Sequence, residues 1–287
     1  MSSQNFTATF PVDLMTQAGP AAAEPAGIGP PLSGTERTRH RRLRTLGRTE
    51  RETLYAVLRA GLVAHLGVII NGWPMVIPTC YGFTADTLYL HGSVASQSLN
   101  TADTTVCVTV TLTDALVLAR SVFEHTINYR SAMIYGQLRL VTDPAERLAG
   151  LRTIAEHVAP GSWDYARAPS RKELAAVRLL ALPLAEASVK IRTGPPSDAG
   201  SPDAALGLWA GELPLATTWQ QPIPDPALPL GLAVPGHIRS RVGTRADQQA
   251  TPGEPAAGGP PTSPGPHDQL SLAAIVAGTP KGDRHEG

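Results

Sequence analysis

LYLHGSVASQSLN (residues 88–100) and TVCVTVTLTDALVLARSVFEHTINYRSAMIYGQLRLV (105–141) are the two halves of the stretch that decides the fold. In the second half, Val106, Val108 and Val110 alternate with Cys107, Thr109 and Thr111. A period-two run of β-branched residues reads as a half-buried strand. Leu116 to Leu118 and Ala132 to Leu140 read as further strands. Between the first strand and the others lies His91-Gly92-Ser93-Val94-Ala95-Ser96-Gln97-Ser98, one glycine with three hydroxyls. A strand passing into a short helix at such a turn has free backbone N–H groups and can hold a phosphate.

Upstream, Thr49-Glu50-Arg51-Glu52 has the pattern of a capping box, opening a helix with Leu54, Val57 and Leu58 on one face. Gly61 closes it. Strands over Leu62 to Ile70 and Trp73 to Phe83 then flank an Asn71-Gly72 hairpin turn. Pro74 and Pro78 make the second of these an edge or bulged strand, because proline has no N–H for a ladder. Downstream, Asp143-Pro144 starts a second helix, with Leu148, Leu151, Ile154, Ala155 and Val158 on one face, and Pro160-Gly161 stops it. A short helix near Ser170 to Val177 leads into Leu179 to Arg192, read as the last strand. The meander predicts a small antiparallel barrel.

Four motifs in this order resemble one family: LYLHGSVAS, VCVTVTLTDALVLARS, NYRSAMIYGQLRLV and, near the domain end, LPLAEASVKIRTGPP. They are similar to the pyridoxamine 5′-phosphate oxidase-like flavin-binding split barrels, in the branch of the nitroimidazole-resistance proteins. The resemblance covers roughly Thr35 to Arg239. It implies a mainly β fold, a six-stranded antiparallel split β-barrel with peripheral helices, that binds FMN as a homodimer with the cofactor at the interface. It does not imply one reaction.

Composition sets the surroundings. The chain has 24 Lys plus Arg and 24 Asp plus Glu, so there is no global attraction to nucleic acid. Residues 1–34 are rich in Ala, Pro and Gly and residues 243–287 are similar, so both read as disordered tails. Residues 35–195 form the expected barrel domain, and 196–242, with Trp209 and Trp219 among many prolines, an extended arm packed on it. Arg37, Arg39, Arg41, Arg42 and Arg44 form a cluster read as a solvated strap, since no aromatics interleave to stack on bases. Cys80 and Cys107 read as buried thiols in a reducing compartment. No segment has the length and apolarity of a membrane span, and MSSQNFTATFPVDLM lacks the basic start and apolar core of a signal peptide. The cytoplasm is the expected location.

The candidate site residues follow from what FMN needs: donors and a cation for the phosphate, an apolar slot for the ring, and a donor or positive charge at the N1–C2=O edge. The phosphate candidates are Ser93, Ser96 and Ser98, with backbone N–H from Gly92 onward. The family often carries a cation where Gln97 and Ser98 stand here. Arg130 matches a recurring family arginine and would supply the missing charge. Alternation places Tyr129 and Ser131 on the face opposite Arg130, with Asn128 on its own face. Ile77, Pro78 and Thr79 match the strand whose main chain runs along the flavin ring. Lys190 and Arg192 share a strand face and are placed to reach the cofactor across a dimer. His91 and His125 read as structural histidines, with haem ligation as the alternative, since some split barrels bind haem. No zinc spacing, nucleophile elbow, Walker loop or paired-carboxylate signature is present, so chemistry without a cofactor is not expected. The reading is an FMN-dependent oxidoreductase of a small molecule, with a small-molecule substrate or electron donor as partner. The alternatives are a haem or deazaflavin protein on the same fold and a non-catalytic flavin module.

Overall fold

A computed structural model describes residues 31–93 and 104–248. In chain order they form β1 (Gly47–Arg48), α1 (Arg51–Ala60), β2 (Val63–Ile70), β3 (Trp73–Phe83), β4 (Thr87–Ser93), β5 (Thr105–Leu118), β6 (Thr126–Gln137) and β7 (Arg139–Leu140). There follow α2 (Pro144–Val158), α3 (Ser162–Tyr165), α4 (Arg171–Ala176), β8 (Val177–Pro183), β9 (Glu186–Arg192), β10 (Gly211–Pro214) and α5 (Gly236–Arg239).

The strands form one antiparallel sheet in the order β1-β9-β6-β5-β2-β3-β4-β8-β7, with β10 added on β5. The sheet curls into a split barrel. At Gly136 on β6 an added Cβ would stand 2.9 Å from Leu182 Cδ1 on β8, which shows how closely the curl brings these two strands together. Inside lie Leu66 and Val68 from β2, Val106, Val108 and Val110 from β5, Ala132 and Ile134 from β6, and Leu180 and Leu182 from β8. Helix α1 plugs one end with Leu54, Val57 and Leu58, all buried.

The split barrel is as expected, with ten strands among the described residues where six were expected. The stretch Leu179 to Arg192 is not one strand: it folds back at Leu184-Ala185 into β8 and β9, which pair with β4 and β6 respectively. The short β1 and β7 extend the two ends of the order, and β10 pairs with the second half of β5. Local signals otherwise act as their chemistry requires. Asn71 and Gly72 turn with φ of 52° and 82°, the left-handed pair that suits a two-residue hairpin. Asp143 accepts from Glu146 N at 2.7 Å and caps α2, with Pro144 in its first turn. Pro74 and Pro78 lie where β3 pairs only with β2, since β4 joins β3 at Tyr81 to Phe83. The capping box at Thr49 does not form. Glu50 is the N-cap of α1, and its carboxylate accepts from Thr49 N at 3.1 Å instead.

Two segments lie on the barrel. Residues 33–42 form a strap over β9: Ser33 Oγ donates to Ala185 O at 2.9 Å, and Arg37 Nε donates to Glu186 Oε1 at 3.0 Å. The arm pairs through β10 with Ala115 to Leu118 of β5. Its Trp219 lies beneath the Arg241 guanidinium, 4.0 Å from the ring centroid, a cation–π contact. Trp209 is exposed, so only one of the two tryptophans docks this way. Gly243 to Gln248, read from sequence as tail, turn back on the arm: Ala246 N donates to Thr217 O at 2.8 Å. Cys80 is exposed and Cys107 half-buried, both as free thiols, against the expected burial. The reason is register: each points away from the barrel interior, Cys80 opposite Val63 and Cys107 opposite Gly67.

Candidate functional site

Antiparallel partners share a face of the sheet, so the register lays out the barrel's outer surface row by row. One row runs Pro78, His65, Thr109, Met133, Ser188 across β3, β2, β5, β6 and β9. The next includes Thr111, Ser131, Lys190 and Gly47. Tyr129 stands beside Thr113 and Arg192 one step further. The outer face therefore collects Pro78, Tyr129, Ser131 and Lys190, four of the residues singled out from sequence. Ile77 and Thr79 pair with Leu66 and Ala64 and turn their side chains to the inner face, where Ile77 packs on the core. They reach the outer face through main-chain atoms alone.

Arg130 and Asn128 do not join this group. Arg130 pairs with Leu112, on the other side of β6. A β-bulge between Thr113 and Ala115 swings Asp114 under it. Arg130 Nε donates to Asp114 Oδ2 at 3.0 Å, and Nη2 donates to Asp114 Oδ1 at 2.6 Å and to Asp247 Oδ2 at 2.8 Å. The hydrogen bond to Asp114 is the largest cause that raises the Arg130 pKa. Asn128 is buried. Its Nδ2 donates to Gly194 O at 3.2 Å and to Glu212, and its Oδ1 accepts from Arg192. Both side chains are committed to binding the arm and the C-terminal segment. Asp114 and Asp247 had no recognisable signal in sequence, because the pairing depends on a bulge and on a distant segment.

A second site lies where α2, α3 and α4 cover the far half of the sheet. A cavity of about 600 Å³ is walled by Leu151, Ile154 and Val158 of α2, Trp163 of α3 and Leu174 of α4. Cys80 and His91 line it from the sheet. His91 Nδ1 is buried and has no hydrogen-bond partner among the described residues. Burial lowers the His91 pKa below its ordinary value, so the imidazole is neutral near pH 7. A neutral imidazole not held by a protein acceptor is a ready metal ligand. The mouth holds Arg167, paired with Glu173 at 2.5 Å. Ser93 pairs with Val177 at the end of β4, next to this cavity. Ser96, Gln97 and Ser98 lie outside the described residues. His125 is structural: its Nδ1 accepts from Ala119 N at 3.2 Å.

Helix α2 is pressed on the sheet. A Cβ at Gly82 would stand 2.6 Å from backbone atoms of Thr153 and Ile154, so only glycine permits this approach. His157 Nε2 lies 2.8 Å from Gly61 O, and its ring packs against Tyr81 at 4.6 Å between centroids. Among the described residues, no group of three or more His, Cys, Asp or Glu is placed to hold a metal ion, and no helix is long and apolar enough to cross a membrane.

Comparison with known proteins gives this geometry a family. The model of the pyridoxamine 5′-phosphate oxidase family matches residues 50–191. The flavocytochrome Anf3 from Azotobacter vinelandii is 37% identical, with a TM-score of 0.70, over 74% of this chain and 100% of its own. The FAD- and haem-binding protein from Mycobacterium smegmatis is 35% identical, with a TM-score of 0.67, over 70% of this chain and 98% of its own. Among curated proteins, none matches. The chain belongs to the pyridoxamine 5′-phosphate oxidase-like split-barrel family.

Proposed function

We propose that this chain is a flavin- and haem-binding redox protein, an oxidoreductase in which the two cofactors occupy separate parts of one sheet. The observation that carries the haem half is the apolar cavity lined by His91, a neutral imidazole whose Nδ1 has no hydrogen-bond partner among the described residues. A haem needs a large apolar slot and an axial ligand, and imidazole is a common one. The flavin half rests on family membership and on the outer face. There Tyr129, Ser131 and Lys190 offer donors and a cation beside the half-exposed, apolar Met133. FMN is the form the resemblance implied; similarity to the FAD- and haem-binding protein of Mycobacterium smegmatis makes FAD an equal candidate.

When bound, the flavin would accept hydride or electrons and the haem would carry single electrons. The chain's own residues would do the rest. Lys190 would place positive charge near the flavin, favouring its reduced anion. His91 would ligate the iron, while α2 with Leu151, Ile154 and Val158 would exclude water from that slot. A small molecule would serve as electron donor or acceptor.

We read the outer face also as a homodimer contact, because Val63, Ile69, Val76 and Met133 are exposed along it. Hiding them would protect an apolar sheet surface.

The absorption spectrum of the purified protein tests the reading. Flavin bands together with a haem Soret band are expected, and His91→Ala should abolish the Soret band and keep the flavin. A spectrum with neither chromophore, after reconstitution with both, would refute it. A flavin spectrum alone would leave the flavin module and remove the haem.

A further inference from the structure

We propose that the arginine strap and the outer face of β6 and β9 together form a binding site for the phosphate groups of a nucleotide. The strap is not simply solvated. Between it and the sheet lies a cavity of about 350 Å³, lined by Arg37, Arg39, Arg41 and Arg42 from above and by Ser131 and Lys190 from below. Among the described residues, five cations line the cavity and no carboxylate does. Glu186 and Glu36 lie outside that lining. Glu186 holds Arg37 to the sheet, and Glu36 takes Arg39 at 3.4 Å and also Arg41. Arg42 and Lys190 have no acidic partner among the described residues.

Like charges gathered at one place repel unless an anion joins them. His40 records that field. Its pKa is lowered by burial first and then by the charge of Lys190. The strap is nonetheless held in place: Thr38 is buried, its Oγ1 donates to Ser33 O at 2.7 Å, and the Arg37 guanidinium lies 5.8 Å from the Tyr135 ring centroid. A fixed positive cavity with forked guanidinium donors and a serine hydroxyl suits phosphate or diphosphate oxygens. The overall charge of the chain is zero, so this is a local device rather than a general affinity for polyanions.

That the phosphate belongs to a nucleotide rests on the flavin reading, because Ser131 and Lys190 also border the proposed flavin face. Two sources share the chemistry: the phosphate tail of the flavin, and the phosphates of a nicotinamide electron donor.

Titration of the full chain with inorganic pyrophosphate tests the cavity without any cofactor. Arg39 and Arg42 are exposed on the strap and stand outside the flavin face, so Arg39→Ala with Arg42→Ala should leave the fold intact, which thermal unfolding checks. The double variant should bind pyrophosphate at least tenfold more weakly than the native chain, and the native affinity should fall with added salt. FAD and riboflavin, then NADPH, assign the source. Weaker FAD with unchanged riboflavin assigns the flavin tail. Weaker NADPH with unchanged FAD assigns the donor. Equal pyrophosphate binding by native and variant chains, or none by either, would overturn the proposal. Retained pyrophosphate binding in a chain that takes no flavin would instead overturn the flavin reading alone.

Discussion

Arg130 grips Asp114 with two nitrogens, Nε at 3.0 Å from Oδ2 and Nη2 at 2.6 Å from Oδ1, and spends a further contact on Asp247. One guanidinium thus ties the bulge of β5 to the C-terminal segment. Removing it would leave two half-buried carboxylates facing each other. Arg130→Ala should cost about 1.5–3 kcal/mol, the range for hydrogen bonds to charged groups, measured by urea unfolding. Residues 243–248 should become open to protease at the same time. Arg130→Lys should restore charge without the forked geometry and recover only part of the loss.

Acid should release the same segment. Asp247 is held down to about 2, first by its hydrogen bond to Arg245, against an ordinary value of 3.8. A carboxyl with a lowered folded pKa contributes stability that is complete above its unfolded value and is lost as pH falls through the folded one. Docking of residues 243–248 should therefore weaken from about pH 4 downward and vanish near pH 2. Asp247→Asn should abolish that pH dependence. Proteolysis by pepsin across this range reads it, and an unchanged profile in Asp247→Asn would refute the assignment.

His157 sets a second pH dependence of opposite chemistry. It is half-buried between Tyr81, Phe83 and Gly61 O, and burial lowers its pKa, with the Gly61 hydrogen bond opposing. Below its unfolded value of roughly 6.5 the unfolded chain takes up a proton that the folded chain resists. Stability should then fall as pH drops from neutral through that value. His157→Gln should flatten the slope, even if it lowers stability at pH 7. Denaturant midpoints at pH 7.5, 6.5 and 5.5 decide it.

Gly82 controls how closely α2 lies on β3. A methyl there would meet Thr153 and Ile154 backbone, which cannot rotate aside. Gly82→Ala should destabilise by roughly 1–3 kcal/mol, the usual cost of overpacking. It should also displace the Ile154 wall of the His91 cavity. If the proposed haem site is there, haem retention should fall more than flavin retention, and equal loss of both would argue against two separate sites.

Val76 is 69% exposed on the outer face. If two copies meet there, Val76→Asp should bury an unpaired charge in the contact and give a monomer. Light scattering at micromolar concentration distinguishes the outcomes. A native chain already monomeric with cofactor bound would remove the dimer.

Local chemistry was enough to determine much of this molecule from its sequence. Alternation in Val106 to Thr111, the Asn71-Gly72 turn, the Asp143-Pro144 helix start and the prolines of β3 each act over a few residues, so they are legible without partners. Together with four ordered motifs they determined the split barrel and the strand face shared by Tyr129 and Ser131, while the register of β6 on β9 set Ser131 beside Lys190. What only the tertiary structure decided are relationships between distant segments. Arg130 meets a carboxylate 16 residues away across a bulge and another 117 residues away, and neither separation follows a periodicity. The split of Leu179 to Arg192 into two strands depends on which neighbours accept its edges. His91, read as a structural histidine, becomes a cavity histidine only because α2, α3 and α4 wall a cavity against it. The arginine strap becomes a site only by lying over Lys190, since charge along a chain shows how much is present but not what it faces.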